Sequence, residues 1–243
     1  VVAHYDVTEK RRYEAELEYQ ATHDPLTGLA NRDLLFRRLR DEIARAEPER
    51  QPVWVLFVDV DRFKFVTDSL GHRAGDAFLQ AIAQRLLDVV RPEDTVARLG
   101  SDEFILVAPG RGAGALDNTV PERILEAIAR PVTVGTQELF LSACVGVARY
   151  PDDSADPATL IDFADLAMHG AKGMGRNSYQ FFDFEMVEKA QQRLRMESDL
   201  RNALERDEFV LHYQPQLDLS SGRVIGVEAL LRWSHPQLGL LSP

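Results

Sequence analysis

The sequence is poor in the residues that stabilise small secreted proteins or hold a chain in a membrane. Its 243 residues include one cysteine, Cys144, so an intramolecular disulfide and a thiolate metal cluster are both excluded. Cys144 lies in the apolar run 139–147, which favours a small buried side chain. No hydrophobic run approaches the roughly 20 residues of a membrane-spanning helix. We therefore expect a reducing, cytoplasmic setting, with any membrane attachment supplied by segments upstream.

Positive charge is also scarce. The chain has 28 Lys and Arg against 39 Asp and Glu, a formal net charge of −11. Without a broad basic face it cannot neutralise the backbone of a nucleic acid, so sequence-independent nucleic-acid binding is excluded. A phosphate ligand must instead be bound by a small number of neighbouring side-chain and main-chain groups. The hydrophobic content of 45% is that of a folded globular protein, and the length allows one well-packed domain with additional segments.

Two carboxylates stand on a tight turn between apolar segments. Residues 95–97 and 104–107 predict the strands of a β-hairpin, with Asp102 and Glu103 at its tip. Adjacent carboxylates that are held rigidly suit a hard cation such as Mg²⁺, which takes few ligands from the protein and the rest from phosphates and water. Taken alone, the turn also fits a solvated loop, because Asp and Ser are common turn residues.

A second acidic pair follows an apolar strand. The run 52–58 predicts a strand that is buried on both faces, and Asp59 and Asp61 come directly after it. Lys64 and the glycine-bounded segment 71–76 follow, and this segment leads into a helix whose N-terminus offers N–H groups to phosphate. Two acidic strand ends, a lysine and a helix start together predict a site for a metal ion and a nucleotide.

Hydrophobic periodicity predicts the remaining elements of this region. Apolar residues recur at helical spacing after Gly75 and over 159–172. Alternating apolar residues over 139–147 predict a strand that forms a second hairpin with 132–134.

Five blocks of the sequence resemble the motifs of GGDEF domains, the diguanylate cyclases. The blocks follow the family's order and lie between residues 21 and 183. They are His23-Asp24-Pro25-Leu26-Thr27-Gly28-Leu29-Ala30-Asn31-Arg32, Asp59-Val60-Asp61-Arg62-Phe63-Lys64, Gly71-His72 through Gly75-Asp76, Gly100-Ser101-Asp102-Glu103-Phe104 and Ala171-Lys172-Gly173-Met174-Gly175-Arg176-Asn177. The resemblance implies an α/β (α+β) fold, a palm-like, ferredoxin-like βαββαβ domain of the class III nucleotide cyclase type with an additional hairpin.

The resemblance also implies a reaction, in which two GTP molecules condense to cyclic di-GMP and two pyrophosphates. Each domain would bind one GTP with two Mg²⁺ ions, or Mn²⁺ in their place, and turnover would require a homodimer. The implied metal ligands are Asp59, the Val60 carbonyl, Asp102 and Glu103. The implied catalytic residues are Glu103, Asp102 and Lys64. The implied substrate contacts are Arg62, Phe63, Lys64, Thr67, Asp76, Gly100, Ser101, Lys172 and Arg176.

Two residues depart from the family pattern. Ser101 replaces the second glycine of the turn, where a Cβ could crowd the phosphates or meet a penalty at a positive φ angle. Thr67 stands where the family has an asparagine that binds the guanine edge, and a hydroxyl cannot replace an amide that donates and accepts at once. Asp76, the other guanine contact, is present. Two functions stay open: an active cyclase, and a degenerate GTP-binding domain that regulates an adjoining phosphodiesterase.

The tetrapeptide 91–94 matches the RxxD inhibitory site, at which the family binds its own product. Arg91 and Asp94 would contact cyclic di-GMP, and Asp94 lies six residues before Gly100. RxxD alone is a common solvated helix end, but its spacing from the acidic turn favours product inhibition.

The flanks resemble other signalling domains. Residues 1–20 resemble the end of a PAS sensor domain followed by a signalling helix. The pattern of this helix fits a solvated connector and a coiled-coil lever equally well. The GGDEF domain is predicted over 21–183 and a helical linker over 184–207. Residues 208–243 resemble the first strands of an EAL domain, a cyclic di-GMP phosphodiesterase barrel that is truncated here. The resemblance implies that Glu228 binds metal there and that Gln214 and Arg232 line the ligand site.

Overall fold

The computed structural model describes residues 16–17, 19–110, 119–134 and 137–242. The chain divides into two compact units between Met186 and Val187. The predicted PAS-like strand and most of the predicted signalling helix lie outside the described residues. In the part of the chain that is described, no helix is long and apolar enough to cross a membrane.

The first unit is built around a five-stranded sheet with helices on its faces. Its strand order is β2-β3-β1-β6-β7, and only the β6–β7 pair is parallel. In chain order the elements are α1 (Arg32–Ala46), β1 (Val53–Val60), α2 (Phe63–Leu70), α3 (His72–Val89), β2 (Thr95–Arg98), β3 (Glu103–Pro109), α4 (Thr119–Ala129), β4 (Val132–Val134), β5 (Gln137–Leu139), β6 (Ala143–Tyr150), α5 (Pro157–Met174) and β7 (Ser178–Phe181).

The second unit is a short antiparallel sheet preceded by a helix. Helix α6 (Phe184–Ala203) begins in the first unit and ends in the second. Three strands follow it, with the order β10-β9-β8. They are β8 (Phe209–Leu217), β9 (Val224–His235) and β10 (Gly239–Leu241).

Strand β1 is the centre of the main sheet, because its apolar run pairs with β3 on one side and β6 on the other. Its side chains alternate between the two faces. Leu56 and Val58 belong to one buried cluster with Phe78 of α3 and Ile124 of α4. On the opposite face α5 packs against β1 and β6. The alternation directs Asp59 toward α5.

Gly146 allows α5 to lie directly on the backbone of β6. A Cβ at this position would overlap the carbonyl oxygen of Ala164 and the backbone nitrogen of Met168. The missing side chain therefore sets the distance between α5 and the sheet. This distance in turn determines how closely the side chains of α5 approach the strand ends.

The predicted hairpin of the acidic turn is present, because β2 and β3 pair with Arg98 opposite Phe104. The second predicted hairpin is wrong in its partner. Strand 132–134 pairs with 137–139, whereas β6 enters the main sheet beside β1. The chain leaves the strand conformation over 140–142, and β6 is buried on both faces, so the apparent alternation came from two separate strands.

Helix α2 was not anticipated from the sequence. It begins after Arg62, which adopts a left-handed conformation with φ of 59°, and it ends at Gly71, with φ of 82°. These two turns place a short helix between β1 and α3. The predicted helix after Gly75 begins earlier, at His72.

We predict that Gly146→Ala destabilises the first unit by about 1–3 kcal/mol, because overpacking forces α5 away from β6. Chemical denaturation followed by circular dichroism measures the change. Gly173→Ala is the matched control: it lies in α5, a Cβ there meets no atom within 4 Å, and the change should stabilise the chain by about 0.5–1 kcal/mol. Equal stability of Gly146→Ala and the original chain would contradict the close packing.

Candidate functional site

The structure brings the two acidic segments together at one edge of the sheet. Asp59 on β1 and Glu103 on β3 are cross-strand partners. The ladder continues beyond the strand, because the Val60 amide donates to the Asp102 carbonyl at 3.2 Å. From the helix face, Lys172 Nζ lies 2.8 Å from Asp59 Oδ1. Five predicted site residues from three separate motifs therefore converge.

The acidic turn is closed by main-chain and side-chain contacts. The Leu99 amide donates to the Glu103 carbonyl at 3.0 Å. Gly100 leaves room for the Glu103 side chain, since a Cβ on this glycine would lie 2.5 Å from Glu103 Oε2. The glycine is therefore required for the position of the Glu103 carboxylate.

Ser101 does not carry the backbone strain that the sequence suggested. Among the described residues, the non-glycine positions with positive φ do not include Ser101, so the expected conformational penalty is wrong. The side chain is exposed, and its hydroxyl donates to Asp102 Oδ1. The substitution thus acts on the carboxylate of Asp102 through a hydrogen bond.

Arg98 links the turn to the start of the domain. Its guanidinium lies 3.1 Å from Asp24 Oδ1 and donates to the Ser101 carbonyl at 3.0 Å. The Asp24 carboxylate also accepts from the Thr27 amide and hydroxyl, at 2.9 and 2.6 Å. Burial works to raise the pKa of Asp24, but the hydrogen bonds from Thr27 and Arg98 lower it overall.

Sequence reasoning gave Arg98 and Asp24 no role. The available signals were an Asp three residues before a Thr, which is typical of an Asx turn, and an Arg placed directly before the acidic turn.

Asp61 was also left without a role, and the structure shows that it fixes the path from β1 into α2. It is only 6% exposed. Its amide donates to the Ser142 carbonyl at 2.8 Å, and its carboxylate accepts from the Ser142 hydroxyl at 2.5 Å. The Cys144 thiol lies 3.7 Å away, and burial, followed by the charge of Asp61, raises the pKa of that thiol. A buried carboxylate beside the left-handed Arg62 thus orients the start of α2.

Two adjoining cavities open beside these residues. The smaller, of about 320 Å³, is lined by Asp59, Val60, Asp61, Arg62, Lys172 and Arg176 together with three residues that it shares with the larger. The larger, of about 500 Å³, is lined in addition by Thr67, His72, Asp76, Leu79, Arg98 and Ser101. The shared residues are Phe63, Lys64 and Asp102. Every substrate contact predicted from the sequence except Gly100 lines one of the two cavities.

Negative charge accumulates where the cavities meet the sheet. Burial raises the pKa of Asp59, and the charges of Asp102 and Asp61 raise it further, against the opposing effect of Lys172. Burial also raises the pKa of Glu103, assisted by Asp102, Asp59 and Asp165. The ionised forms of these carboxylates are therefore disfavoured by burial and by one another, and an additional positive charge would stabilise them.

The donor set fits a hard divalent cation that takes part of its shell from a ligand. The predicted metal ligands all present oxygen, the donor that Mg²⁺ and Mn²⁺ prefer. Within the described residues, no three Asp, Glu, His or Cys side chains enclose an ion by themselves. This agrees with Mg²⁺ chemistry, in which one or two carboxylates act together with substrate phosphates and water.

Thr67 faces the larger cavity with its hydroxyl already engaged. Thr67 Oγ1 donates to the Lys64 carbonyl of the same helix at 2.9 Å. Its methyl group is directed at Gly75, where a Cβ would lie 2.6 Å from Thr67 Cγ2. Asp76 lines the same end of the cavity.

Arg91 and Asp94 form a closed turn away from the acidic site. The Arg91 amide donates to Asp94 Oδ2 at 2.8 Å, and the Asp94 amide donates to the Arg91 carbonyl at 3.0 Å. Burial raises the pKa of Asp94. A cleft of about 480 Å³ beside the turn has a mixed charged lining, made by Glu93 and Asp94 of the turn and by Arg37, Arg38, Asp41, Glu42 and Arg45 of α1.

In the second unit, the three residues predicted from the EAL motifs lie on one face of the β8–β9 hairpin. Gln214 and Glu228 are cross-strand partners, and Arg232 lies four residues beyond Glu228 on the same strand, hence on the same face. Gln214 and Glu228 are exposed, and Arg232 is half-buried.

The sequence matches two family models. Residues 21–178 match the model described as diguanylate cyclase, GGDEF domain, and residues 197–243 match the EAL domain model. Among curated relatives, MucR of Pseudomonas aeruginosa, named a bifunctional diguanylate cyclase/cyclic di-GMP phosphodiesterase, is 45% identical over 97% of this chain and 34% of its own length. NbdA of the same organism, named a cyclic di-GMP phosphodiesterase, is 38% identical over 94% of this chain and 29% of its own length. The chain thus spans about a third of the length of these relatives.

Solved structures of GGDEF domains share the fold. A GGDEF domain of YfiN from Pseudomonas aeruginosa has a TM-score of 0.67 at 36% identity, covering 70% of this chain and 99% of that one. The coiled coil and GGDEF domain of DgcB from Caulobacter crescentus, solved with c-di-GMP, has a TM-score of 0.65 at 27% identity, covering 72% and 93%. These matches confirm the predicted palm-like fold. The chain therefore belongs to the GGDEF family and continues into part of an EAL domain.

Proposed function

We propose that this chain is a diguanylate cyclase, which condenses two GTP into cyclic di-GMP and two pyrophosphates. One observation carries the proposal: the crowded carboxylates open into two connected cavities. The phosphates of a nucleotide would lie in the smaller cavity, beside Asp59, Lys172 and Arg176, and its base would lie in the larger, beside Thr67 and Asp76. Lys64 and Asp102 line both cavities, so one ligand would pass them.

The chain's own residues supply binding and orientation. Asp59, Asp102 and the Val60 carbonyl, with Glu103 beside them, would hold the divalent cation, which when bound neutralises charge on the triphosphate. Lys64, Lys172 and Arg176 would contact phosphate oxygens, and the main-chain amides at Arg62 and Phe63 would assist. Lys172 would exchange its contact with Asp59 for one with phosphate.

The proposed reaction requires two copies of the domain. The 3′-oxygen of each GTP forms a bond to the α-phosphorus of the other, and at each α-phosphorus the bond to pyrophosphate breaks. Each hydroxyl proton leaves to a carboxylate or to water. Because each domain offers one nucleotide site, two sites must face each other, and the enzyme would act as a homodimer.

A second candidate function is regulatory: GTP binding without turnover, acting on an adjoining EAL phosphodiesterase. The hydrogen bond from Ser101 to Asp102 favours it, because it occupies an oxygen that the cation would need. The retained carboxylates and cations favour the cyclase, which we place first.

Product inhibition at Arg91 and Asp94 is part of the proposal. Asp94 lines a cleft that contains three arginines beside four acidic residues, and guanidinium groups bind phosphate oxygens in pairs. Cyclic di-GMP carries two phosphates and two guanines, which such a cleft would accommodate.

Incubation with GTP and Mg²⁺, followed by chromatography, should yield cyclic di-GMP. We expect Asp59→Asn and Asp102→Asn to lower the rate at least about 100-fold, because each removes charge that holds the cation. Glu126→Gln, an exposed change on α4, is the control and should leave the rate unchanged. GTP binding without product, with product restored by Ser101→Gly or Thr67→Asn, would support the regulatory function instead.

Glu103→Gln should raise the Tm of the nucleotide-free chain at pH 7, on the order of 1–3 °C. The raised carboxyl pKa means that the folded chain binds protons more tightly than the unfolded chain. Its stability therefore falls as pH rises through the pKa of these groups, and removing one charge relieves that cost. Differential scanning calorimetry with Glu126→Gln as control measures this. A lower Tm for Glu103→Gln would contradict the crowding of charge.

Arg91→Ala and Asp94→Asn should weaken inhibition by cyclic di-GMP about tenfold or more, because each removes a charge-assisted contact. Initial rates at increasing product concentration measure the effect. Glu126→Gln, an exposed change on α4 outside this cleft, should leave the inhibition curve unchanged. Equal inhibition of all variants would exclude the turn as the inhibitory site.

A further inference from the structure

Three large hydrophobic side chains of the first unit are unusually exposed to solvent. Phe65, Phe140 and Met174 are 69%, 67% and 66% exposed, and in the part of this unit that the structure describes no other large hydrophobic residue exceeds 58%. Single exposed hydrophobic residues are normal on a protein surface, whereas several at one edge of a site indicate an interaction surface. We call these three residues the apolar rim.

Two members of the apolar rim border the smaller cavity directly. Phe65 of α2 comes immediately after Lys64, which lines this cavity. Met174 is the last residue of α5 and lies between Lys172 and Arg176, which belong to the same lining. Both hydrophobic residues are therefore adjacent to the cations that would contact phosphate oxygens.

Phe140 lies at the same edge of the sheet, because it precedes β6. This strand begins at Ala143, which pairs with Val60 at the end of β1. Just before the strand, the carbonyl and the hydroxyl of Ser142 bind Asp61, which also lines the smaller cavity. Phe140 stands two residues ahead of Ser142. The apolar rim thus comes from three separate segments that meet at one cavity.

The proposed reaction would bring this edge of one chain against the same edge of another. Bonds form between two nucleotides, each held in its own copy, so the two cavity openings must come close together. Side chains that border the openings are then enclosed between the copies. We propose that the apolar rim is the docking surface for a second copy of this chain, in a two-fold symmetric contact. The inference rests on the proposed function, because the pairing of two nucleotide sites requires these edges to meet.

The area of the apolar rim indicates a weak contact. A large aromatic side chain buries about 150–250 Å². Three large side chains that are each about two-thirds exposed therefore offer roughly 300–500 Å² per copy. A stable complex buries about 800 Å² on each partner. We expect copies that associate reversibly, to an extent that depends on protein concentration.

Sedimentation velocity at increasing protein concentration measures this association. Mg²⁺ is present, together with a GTP analogue that carries an α,β-methylene bridge and cannot react. Phe65→Gln and Phe140→Ser should each raise the dissociation constant of the dimer at least about tenfold, because the side chain is lost from both copies. Circular dichroism should show an unchanged fold, since both residues are exposed.

Leu87→Gln is the matched control. Leu87 is 45% exposed and lies on α3, about 20 Å along the helix from His72 at the larger cavity. The change removes an exposed hydrophobic side chain far from the apolar rim, so it should leave the dissociation constant unchanged.

A second measurement separates docking from nucleotide binding. A fluorescent form of the same analogue should bind the original chain and the rim variants within about twofold of each other, because the substituted residues do not line the cavities. The rate of cyclic di-GMP formation per chain should rise with protein concentration. The rim variants should need at least about tenfold more protein to reach the rate of the original chain.

Equal dissociation constants for the original chain and the rim variants would overturn the inference, because the copies would then meet through another surface. An original chain that stays monomeric with the analogue bound would overturn it as well. A dimer that depends on the apolar rim but forms no cyclic di-GMP from GTP would contradict the proposed function and still support the docking surface.

Discussion

The ion pair between Asp59 and Lys172 is the interaction on which the rest of the site depends. Asp59 is half-buried at the end of the central strand, among other carboxylates that oppose its ionisation. The ammonium group of Lys172, 2.8 Å away, is the charge that compensates it in the nucleotide-free chain. Lys172 reaches this point only because α5 lies against the backbone of β6. A contact between a helix and a glycine thus determines the electrostatics of the site.

The residues that would touch a nucleotide are positioned by others that would not. Asp61 is bound to Ser142 and fixes the turn into α2, which carries Lys64 and Thr67. Arg98 and Asp24 hold the acidic turn from the other side. The buried carboxylate of Asp61 and the half-buried one of Asp24 therefore orient the two walls of the cavities, and each accepts hydrogen bonds within the domain.

Sequence patterns predicted those strands and turns that are determined by residues close to one another in the sequence. The apolar run 52–58 identified β1, and the residues around Asp102 identified the β2–β3 hairpin. Neither identification required knowledge of the strands that pair with β1. The assignment of 139–147 failed because the alternation there joins an edge strand to a central one, and only tertiary pairing separates them. Asp61 and Arg98 were missed for a related reason: their partners, Ser142 and Asp24, lie 81 and 74 residues away along the chain. The conformation of Ser101 likewise depends on the turn as folded and not on its composition.

The close approach at Gly146 has a consequence for how such a chain can change over generations. Ser101 is exposed and Thr67 is half-buried at the larger cavity, so a replacement at either position changes the groups that face a ligand. At Gly146 any side chain displaces α5. A residue without a functional group therefore tolerates less change than these two residues of the binding cavity.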